Sequence, residues 1–593
     1  MLPPNFFRKY LYVLKDKRRQ LFLMAALFLL SSILELLGIG LIGPFVGAVV
    51  NPALLDRFTS LNSILSYFGF EGARDRTIAL GVFLLVVFII KGAVAYGIFR
   101  HISAFTFYFR ASLVQRLMSA YLRMPYQFYL ERNSAAIVNS VIAHTKTMTD
   151  DMLLPSLKLA SDAIVLLAIG LFLFWVNPIA MLILLVSLGS TSAFYSVLVK
   201  PKVKAAGQEV AVQNEGLIRG VNQGIGGIKE IRILGAEQYF LEHVQRTSTL
   251  CADSQKKFYS LIGIPRFLIE TVFVIFVVLF ALFSLYSGNS GEAMVATLAM
   301  FGVAGIRVLP AVANVSSSVA SMNYSSYALS ELYRDLQEVE QQSKNLSAQA
   351  VQSSQFVNDF QQLCLDEICY AYPGVSRLAI DGISLTITQG QSIGLIGESG
   401  AGKTTLVDIL LGLHQFDSGK FSVNGIDIEE YGWGSWLKQV AYIPQNVFLT
   451  DETLAKNIAF GIDDNEIDFA RVTEAVSSAQ LTELVGRLPG GVQTMVGERG
   501  IRLSGGERQR VALARAFYHN RSIFIFDEAT SALDAETERQ VIEVIEKLHG
   551  QKTLIVIAHR LTTIKSCDVI YRLKDGRIID SGRFEDVVGQ KHV

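Results

Sequence analysis

Apolar runs of membrane-spanning length fill the first half of the chain and end before about residue 320, whereas the pattern after residue 356 is that of a soluble α/β domain. The run over residues 21–50 follows Arg8, Lys9, Lys15, Lys17, Arg18 and Arg19. It far exceeds the roughly 7–15 apolar residues of a signal-peptide core, so the pattern predicts a retained first transmembrane helix with a cytosolic N-terminus. Five more runs, near residues 78–99, 153–176, 179–199, 261–286 and 293–312, complete six predicted spans and return the chain to the cytosol. The connections at Asn177 with Pro178 and at 287–292 hold no Lys or Arg, while residues 200–257 hold nine. That asymmetry orients the spans by the positive-inside rule. Only the outer loop at 51–77 is long, and the helical apolar spacing of its residues 54–70 suits an interfacial helix and a packed loop helix equally.

The cytosolic connections are long, about fifty residues between spans two and three and about sixty between four and five, and their helical periodicity predicts that these helices continue into the cytosol. PYQFYLERNS at 125–134 and GIGGIKEIRILGA at 224–236 carry the Pro, Gly and Asn punctuation of the turns each excursion needs. Such elbows suit docking of a soluble domain, although plain loops would satisfy the same pattern. Three charges inside apolar spans are costly enough to be weighed as functional. Lys91 lies 13 residues into the second span, about 20 Å deep at 1.5 Å per residue. Arg307 and Arg266 fall at a similar depth toward the inner leaflet, so paired copies of all three would offer cations to an anionic head group. The plainer reading pairs Arg266 with Glu270 and Arg307 with Glu35, and lets Lys91 reach the inner interface. Gly38, Gly40, Gly43 and Gly47 with Pro44 in span one point to close helix packing or a kink.

Composition agrees with this division: 51% of residues are hydrophobic and only 18% charged, which indicates membrane segments. With 53 basic and 53 acidic residues, net charge gives no argument for a nucleic-acid partner. Cys251, Cys364, Cys369 and Cys567 lack metal-ligand spacing and read as reduced cytosolic thiols. The polar, Gln/Ser-rich stretch at 338–356 predicts a linker. The expected division is a membrane domain over 1–335, a linker over 336–356 and an ATP-binding domain over 357–593.

The chemistry centres on GESGAGKTT, residues 397–405, between an apolar strand and a helix start, the context a phosphate-binding loop requires. Gly397, Gly400 and Gly402 allow a turn tight enough for backbone N–H groups to surround phosphates at the helix N-terminus, with Ser399 and Thr405 in the same turn. Lys403 adds a point charge, and Thr404 is placed to ligate Mg²⁺. The strand at 522–526 ends in Asp527, suited to a Mg²⁺ contact through water, and Glu528, suited to activating the attacking water. Two other strands end in His559 and Gln445. Each polar strand end could be a turn former, but several beside one phosphate loop indicate a site.

LSGGERQR, residues 503–510, resembles the signature of ABC transporter ATPases, with Glu507 where the commonest form has Gln. The resemblance extends over residues 10–590. It implies that Tyr372 stacks on adenine, that Gln445 is the Q-loop residue and joins the Mg²⁺ site, that 496–500 and 531–534 are the X-loop and D-loop, and that His559 is the switch histidine. It also implies that Ser504, Gly505 and Gly506 of one copy meet the γ-phosphate of ATP held by the other. The expected architecture is therefore an α-helical six-span domain plus an α/β P-loop ATPase domain, working as a homodimeric exporter that cycles with ATP and Mg²⁺. LELLGIGLIGPF (34–45), GGIKEIRILGAEQYF (226–240) and PRFLIE (265–270) are similar to bacterial flippases of lipid-linked oligosaccharides, which implies a lipid-linked substrate and a bacterial inner membrane. Exporters of peptides, toxins or other lipids remain alternatives, the peptide-processing kind disfavoured because no N-terminal peptidase domain is recognised. A nucleotide-gated channel or regulatory membrane ATPase is the reading from another class.

Overall fold

The computed structural model describes residues 6–50, 72–132, 134–286, 291–350, 359–529, 535–558 and 560–588. Two compact units emerge, one of residues 1–123 with 132–340 and one of 124–131 with 341–593. The expected outer helix at 54–70, the connection at 287–290 and the end of the linker fall outside the described residues.

In the first unit, six helices among the described residues are long and apolar enough to cross a membrane. They lie within Arg18–Val50, Ala73–Tyr121, Leu154–Val176 with its N-terminal extension, Pro178–Leu198, Glu237–Tyr286 and Gly291–Tyr324. At 49 and 50 residues, the second and fifth of these helices are roughly 75 Å long, more than twice the ~30 Å hydrocarbon core, so each continues well beyond the bilayer. Asn177 sets the turn between spans three and four: its Oδ1 accepts from the Ala180 N–H at 3.0 Å, and Pro178 starts the next helix without needing a donor. Ile39, Ile169, Phe276 and Phe301 tie spans one, three, five and six into one core. The span-one glycines serve packing there: a Cβ on Gly43 would stand 2.5 Å from Met300 Sδ, and one on Gly38 3.3 Å from the Phe88 ring. Only 6% of the most apolar window of span two is buried, so lipid or a second copy must cover the rest.

Both expected elbows are short helices, Tyr126–Glu131 and Ile228–Leu234. The second ends at Gly235, whose φ of 63° lets the chain reverse where a side chain would be strained. The cytosolic extension of span three contains two π-helical stretches, Ser140–His144 and Met148–Leu153. Ser140 in the first of these bonds Asp335, which also accepts from Tyr121 Oη at 2.7 Å and Arg132 Nη1 at 2.9 Å. Burial alone would raise the Asp335 carboxyl, but these hydrogen bonds and the Arg132 charge outweigh it and hold the group below its usual range. The helix carrying Asp335, Ser326–Ala350, runs past residue 336, where the sequence pattern starts the linker.

The second unit holds two sheets. One is antiparallel in the order β2-β1-β4-β5, with β1 Gln362–Ala371, β2 Leu378–Thr388, β4 Ser418–Val423 and β5 Ile426–Asp427. The other runs β10-β9-β3-β8-β7-β6, from β3 Ser392–Ile396, β6 Val440–Ile443, β7 Ile523–Asp527, β8 Thr553–Ile557, β9 Val569–Lys574 and β10 Arg577–Gly582. All its pairings are parallel except β9 with β10. Every residue of β7 and β8 is buried, as expected of central strands covered on both faces. The carboxyl ends of β3, β6, β7 and β8 therefore open on one side, where an α/β sheet places its ligand.

Candidate functional site

At the carboxyl end of β3 the chain turns through Gly397, Gly400 and Gly402, all with positive φ, and enters the helix Lys403–Leu410. A Cβ on Gly397 would lie 2.3 Å from the Leu573 carbonyl oxygen and one on Gly402 2.7 Å from that of Ala379, so only glycine lets the loop pass between these backbones. Lys403 is buried and its Nζ donates to the carbonyls of Gly397 at 2.8 Å and Glu398 at 3.0 Å. Burial holds its ammonium below the ordinary value, against the pull of Glu528 and Asp527. Ser399 and Thr404 are exposed at the loop, whereas Thr405 is buried and its hydroxyl meets Tyr372 Oη at 3.0 Å. The glycine cradle, the single buried amine and a free hydroxyl at a helix N-terminus fit a nucleotide polyphosphate.

The adjoining strand ends supply the acids. Asp527 closes β7, buried, and accepts from Tyr442 Oη at 2.9 Å; burial pushes its carboxyl up while the Tyr442 hydroxyl pulls it down. Glu528 follows with φ 49°, a left-handed conformation costly for a non-glycine residue and typical of strain held at a site. Gln445 Nε2 donates to Glu528 Oε2 at 3.1 Å. A cavity of about 500 Å³ opens beside these two residues, with Gly505 and Gln509 also on its wall. No group of three or more His, Cys, Asp or Glu among the described residues forms a metal cage. Mg²⁺ needs no such cage, since it keeps waters and takes much of its coordination from phosphates. Thr404, Gln445 and Asp527 fit as its protein-side donors.

Tyr372 is partly exposed and meets Tyr370 at 5.2 Å and His414 at 5.4 Å, both edge-on. His414, buried and stacked on Tyr370, stays below its ordinary pKa because of burial, and its Nε2 lies 3.7 Å from Asp408 Oδ2. Asp408, on the helix of the phosphate loop, is pushed up to about 6 by burial and by the charge of Asp527. The folded state thus binds this proton more tightly than the unfolded chain does, so the stability it contributes is present below about pH 4 and is lost as pH rises through about 6. Asp408→Asn is expected to raise the stability of the unliganded protein by roughly 1–3 kcal/mol at pH 8 and to change little at pH 4. Thermal unfolding of the detergent-solubilised protein at the two pH values measures this, and equal shifts at both would assign the effect to packing.

Ser504 caps the helix Gly505–Tyr518. Its hydroxyl accepts from the Glu507 N–H at 3.2 Å while Glu507 Oε2 accepts from the Ser504 N–H at 2.7 Å, a reciprocal capping box. Either Gln or Glu can close that box, which explains why Glu507 is tolerated, and Arg487 at 3.3 Å balances its charge. Gly505 and Gly506 follow at the helix start, so the signature presents N–H groups at a positive helix end. Two positioning contacts escaped the sequence reading. Gln509 Nε2 donates to the carbonyls of Pro444 at 3.0 Å and Gln445 at 2.9 Å, fixing the chain at Gln445 from the signature helix. The other is Tyr442 on Asp527, signalled only by a polar-tipped residue in strand β6. His559 and residues 531–534 lie outside the described residues.

In the first unit, Lys91 Nζ is 2.8 Å from Glu35 Oε1 and Arg307 Nε is 3.7 Å from Glu35 Oε2, so two of the three intramembrane cations converge on one buried carboxylate. Arg266 does not join them within a protomer; its Nε donates to Glu270 at 3.1 Å, one turn along the same helix.

The family models for the ABC transporter transmembrane region and the ABC transporter match residues 21–304 and 380–531. An ATP-dependent lipid A-core flippase of Cupriavidus metallidurans is 41% identical over 229 residues, 38% of this chain and 39% of that protein, so this match spans less than two thirds of that relative. A protein of the same name from Polaromonas sp. is 28% identical over 555 residues, 92% of this chain and 89% of the relative. Among solved structures, that of a bacterial Atm1-family ABC exporter with ATP bound is similar with a TM-score of 0.73 and 19% identity, covering 98% of this chain and 97% of that one.

Proposed function

The chain belongs to the ABC transporters, with the membrane region and ATPase domain of an exporter-type half-transporter in one polypeptide, and from that premise we propose that two identical copies hydrolyse ATP to move an anionic, lipid-linked oligosaccharide across a bacterial cytoplasmic membrane. The observation that carries the choice of cargo is the pair of cations, Lys91 and Arg307, held together inside the membrane spans. Relatives named as lipid A-core flippases support a lipid-borne cargo.

In this reading the loop N–H groups and Lys403 hold the β- and γ-phosphates, Tyr372 stacks on adenine, and Glu528 takes the proton of the attacking water. Gln445 orients that carboxylate. Mg²⁺ held by Thr404, Gln445 and Asp527 would neutralise charge on the phosphates. Ser504, Gly505 and Gly506 of the second copy would close over the γ-phosphate, and His559 would serve as the switch histidine that the family resemblance implies. The elbows favour a second copy as well. Residues 124–131 group with the ATPase unit of their own chain, but Ile228–Leu234 stays with the membrane unit and leaves Ile233 and Leu234 exposed for a partner to cover.

The test is ATP-driven transfer of a fluorescent polyprenyl-pyrophosphate oligosaccharide between leaflets of proteoliposomes. Wild type is expected to transfer it, and Lys91→Gln with Arg307→Gln to reduce the rate at least about tenfold while abolishing stimulation of ATPase by the lipid. Arg266→Gln reports separately on the cation paired with Glu270. Unchanged transfer in the double variant would dismiss the cation pair. Vigorous wild-type ATPase without transfer would dismiss the cargo class.

A further inference from the structure

The carboxylate between the two membrane cations has no part in the cycle described so far, and its placement is peculiar. Glu35 is nearly closed off, its side chain 6% exposed, whereas those of Lys91 and Arg307 are 22% and 40% exposed. Within one copy the anion is thus the closed-off member of the cluster and the cations the accessible ones. Lys91 is well satisfied: its Nζ sits 2.8 Å from Glu35 and 4.7 Å from the centre of the Phe88 ring. Arg307 is not. Its Nε is buried, has no hydrogen-bond acceptor among the described residues, and lies 3.7 Å from Glu35, beyond hydrogen-bond length. Arg307 is thus held to Glu35 by charge without a hydrogen bond from Nε, and the exposed part of its side chain can turn to a better acceptor.

We propose that Glu35 is a specificity-determining residue that sets a charge threshold for cargo: its carboxylate already occupies Lys91 and Arg307, and only a head group with two or more negative charges engages them. The proposal rests on the reading that these cations meet the cargo. Two cations and one carboxylate leave a single net positive charge. Asp162 of span three, buried and bonded by Asn314 Nδ2 at 3.1 Å, lies within electrostatic reach of Arg307 and of Lys158. A phosphodiester lipid with one negative charge can do no better than exchange places with Glu35, which strands a buried carboxylate without its partners. A pyrophosphate or phosphomonoester can bond both cations at once while Glu35 keeps part of its pairing. Phosphatidylglycerol, a common anionic membrane lipid, carries the single charge of one phosphodiester, so this arrangement disfavours an abundant competitor.

The experiment measures binding of two lipids to the full-length protein in phosphatidylcholine nanodiscs, polyprenyl pyrophosphate and phosphatidylglycerol. Wild type is expected to prefer the pyrophosphate by at least about thirtyfold, and Glu35→Gln to cut that preference at least about fivefold by gaining phosphatidylglycerol binding. Glu35→Asp should keep the wild-type preference. The Glu35→Gln/Lys91→Gln double variant retains the wild-type net charge but leaves Arg307 unguarded, so it too should accept phosphatidylglycerol, and it serves if the single variant fails to fold. Wild-type discrimination in both variants that carry Glu35→Gln, alongside loss of pyrophosphate binding in Lys91→Gln/Arg307→Gln, would overturn the threshold and leave the cargo site standing. Undiminished binding of both lipids in Lys91→Gln/Arg307→Gln would overturn the site and the threshold together.

Discussion

Glu528→Gln is expected to bind ATP about as tightly as wild type and to hydrolyse it at least about a thousandfold more slowly. The substitution preserves shape, and an amide at this position can still accept from Gln445 Nε2, now 3.1 Å from Glu528 Oε2. What it removes is the proton acceptor. The chain pays for that acceptor in backbone strain, since Glu528 sits at φ 49° directly after a fully buried strand. A residue needed only to end β7 would relax this strain, and Asn or Gly would serve the turn better. Nucleotide affinity from equilibrium binding and turnover from phosphate release separate the two effects. Loss of both would point to a disturbed phosphate loop through Asp527 next door, and near-normal turnover would move the base elsewhere.

How far the sequence reached depends on whether a feature is local. Glycines at 397, 400 and 402, the Lys403 amine and the acids at the end of β7 were legible because a phosphate loop and a strand end are each built from adjacent residues. The six spans were legible for a related reason: apolar length is a property of one segment. Contacts between distant segments were not. Gln509 grips the backbone of Gln445 from 64 residues away, and Tyr442 bonds Asp527 across 85. The intramembrane cations show both sides of this limit. Their cost in lipid marked them as notable from sequence, and the plainer reading pairs Arg307 with Glu35 and Arg266 with Glu270, as the structure has them; what only the packing of spans one and two shows is that Lys91 shares Glu35 as well. What composition could not show is that the first part of the expected linker is helical, because composition registers polarity and the helix Ser326–Ala350 remains helical while turning polar.

Gly402→Ala is expected to weaken ATP binding at least about a hundredfold, far more than Gly400→Ala in the same loop. Both glycines have positive φ, 101° and 83°, so each alanine carries a conformational cost of about 1–3 kcal/mol. They differ in their surroundings. Around Gly400 a new methyl meets nothing within 4 Å. At Gly402 it would lie 2.7 Å from the Ala379 carbonyl oxygen, 3.0 Å from Ile380 Cδ1 and 3.6 Å from the Gly576 Cα. Two of these neighbours are backbone atoms of β2 and the turn into β10, which cannot swing aside as a side chain does. The loop must move instead, and it carries Lys403 and Thr404 as the next two residues, so the amine and hydroxyl leave the phosphates together with the helix N–H groups. Binding of a fluorescent ATP analogue to the two variants, each with its unfolding temperature recorded, makes the comparison. Equal losses at 400 and 402 would mean that loop conformation alone sets affinity and that the contact with Ala379 is slack.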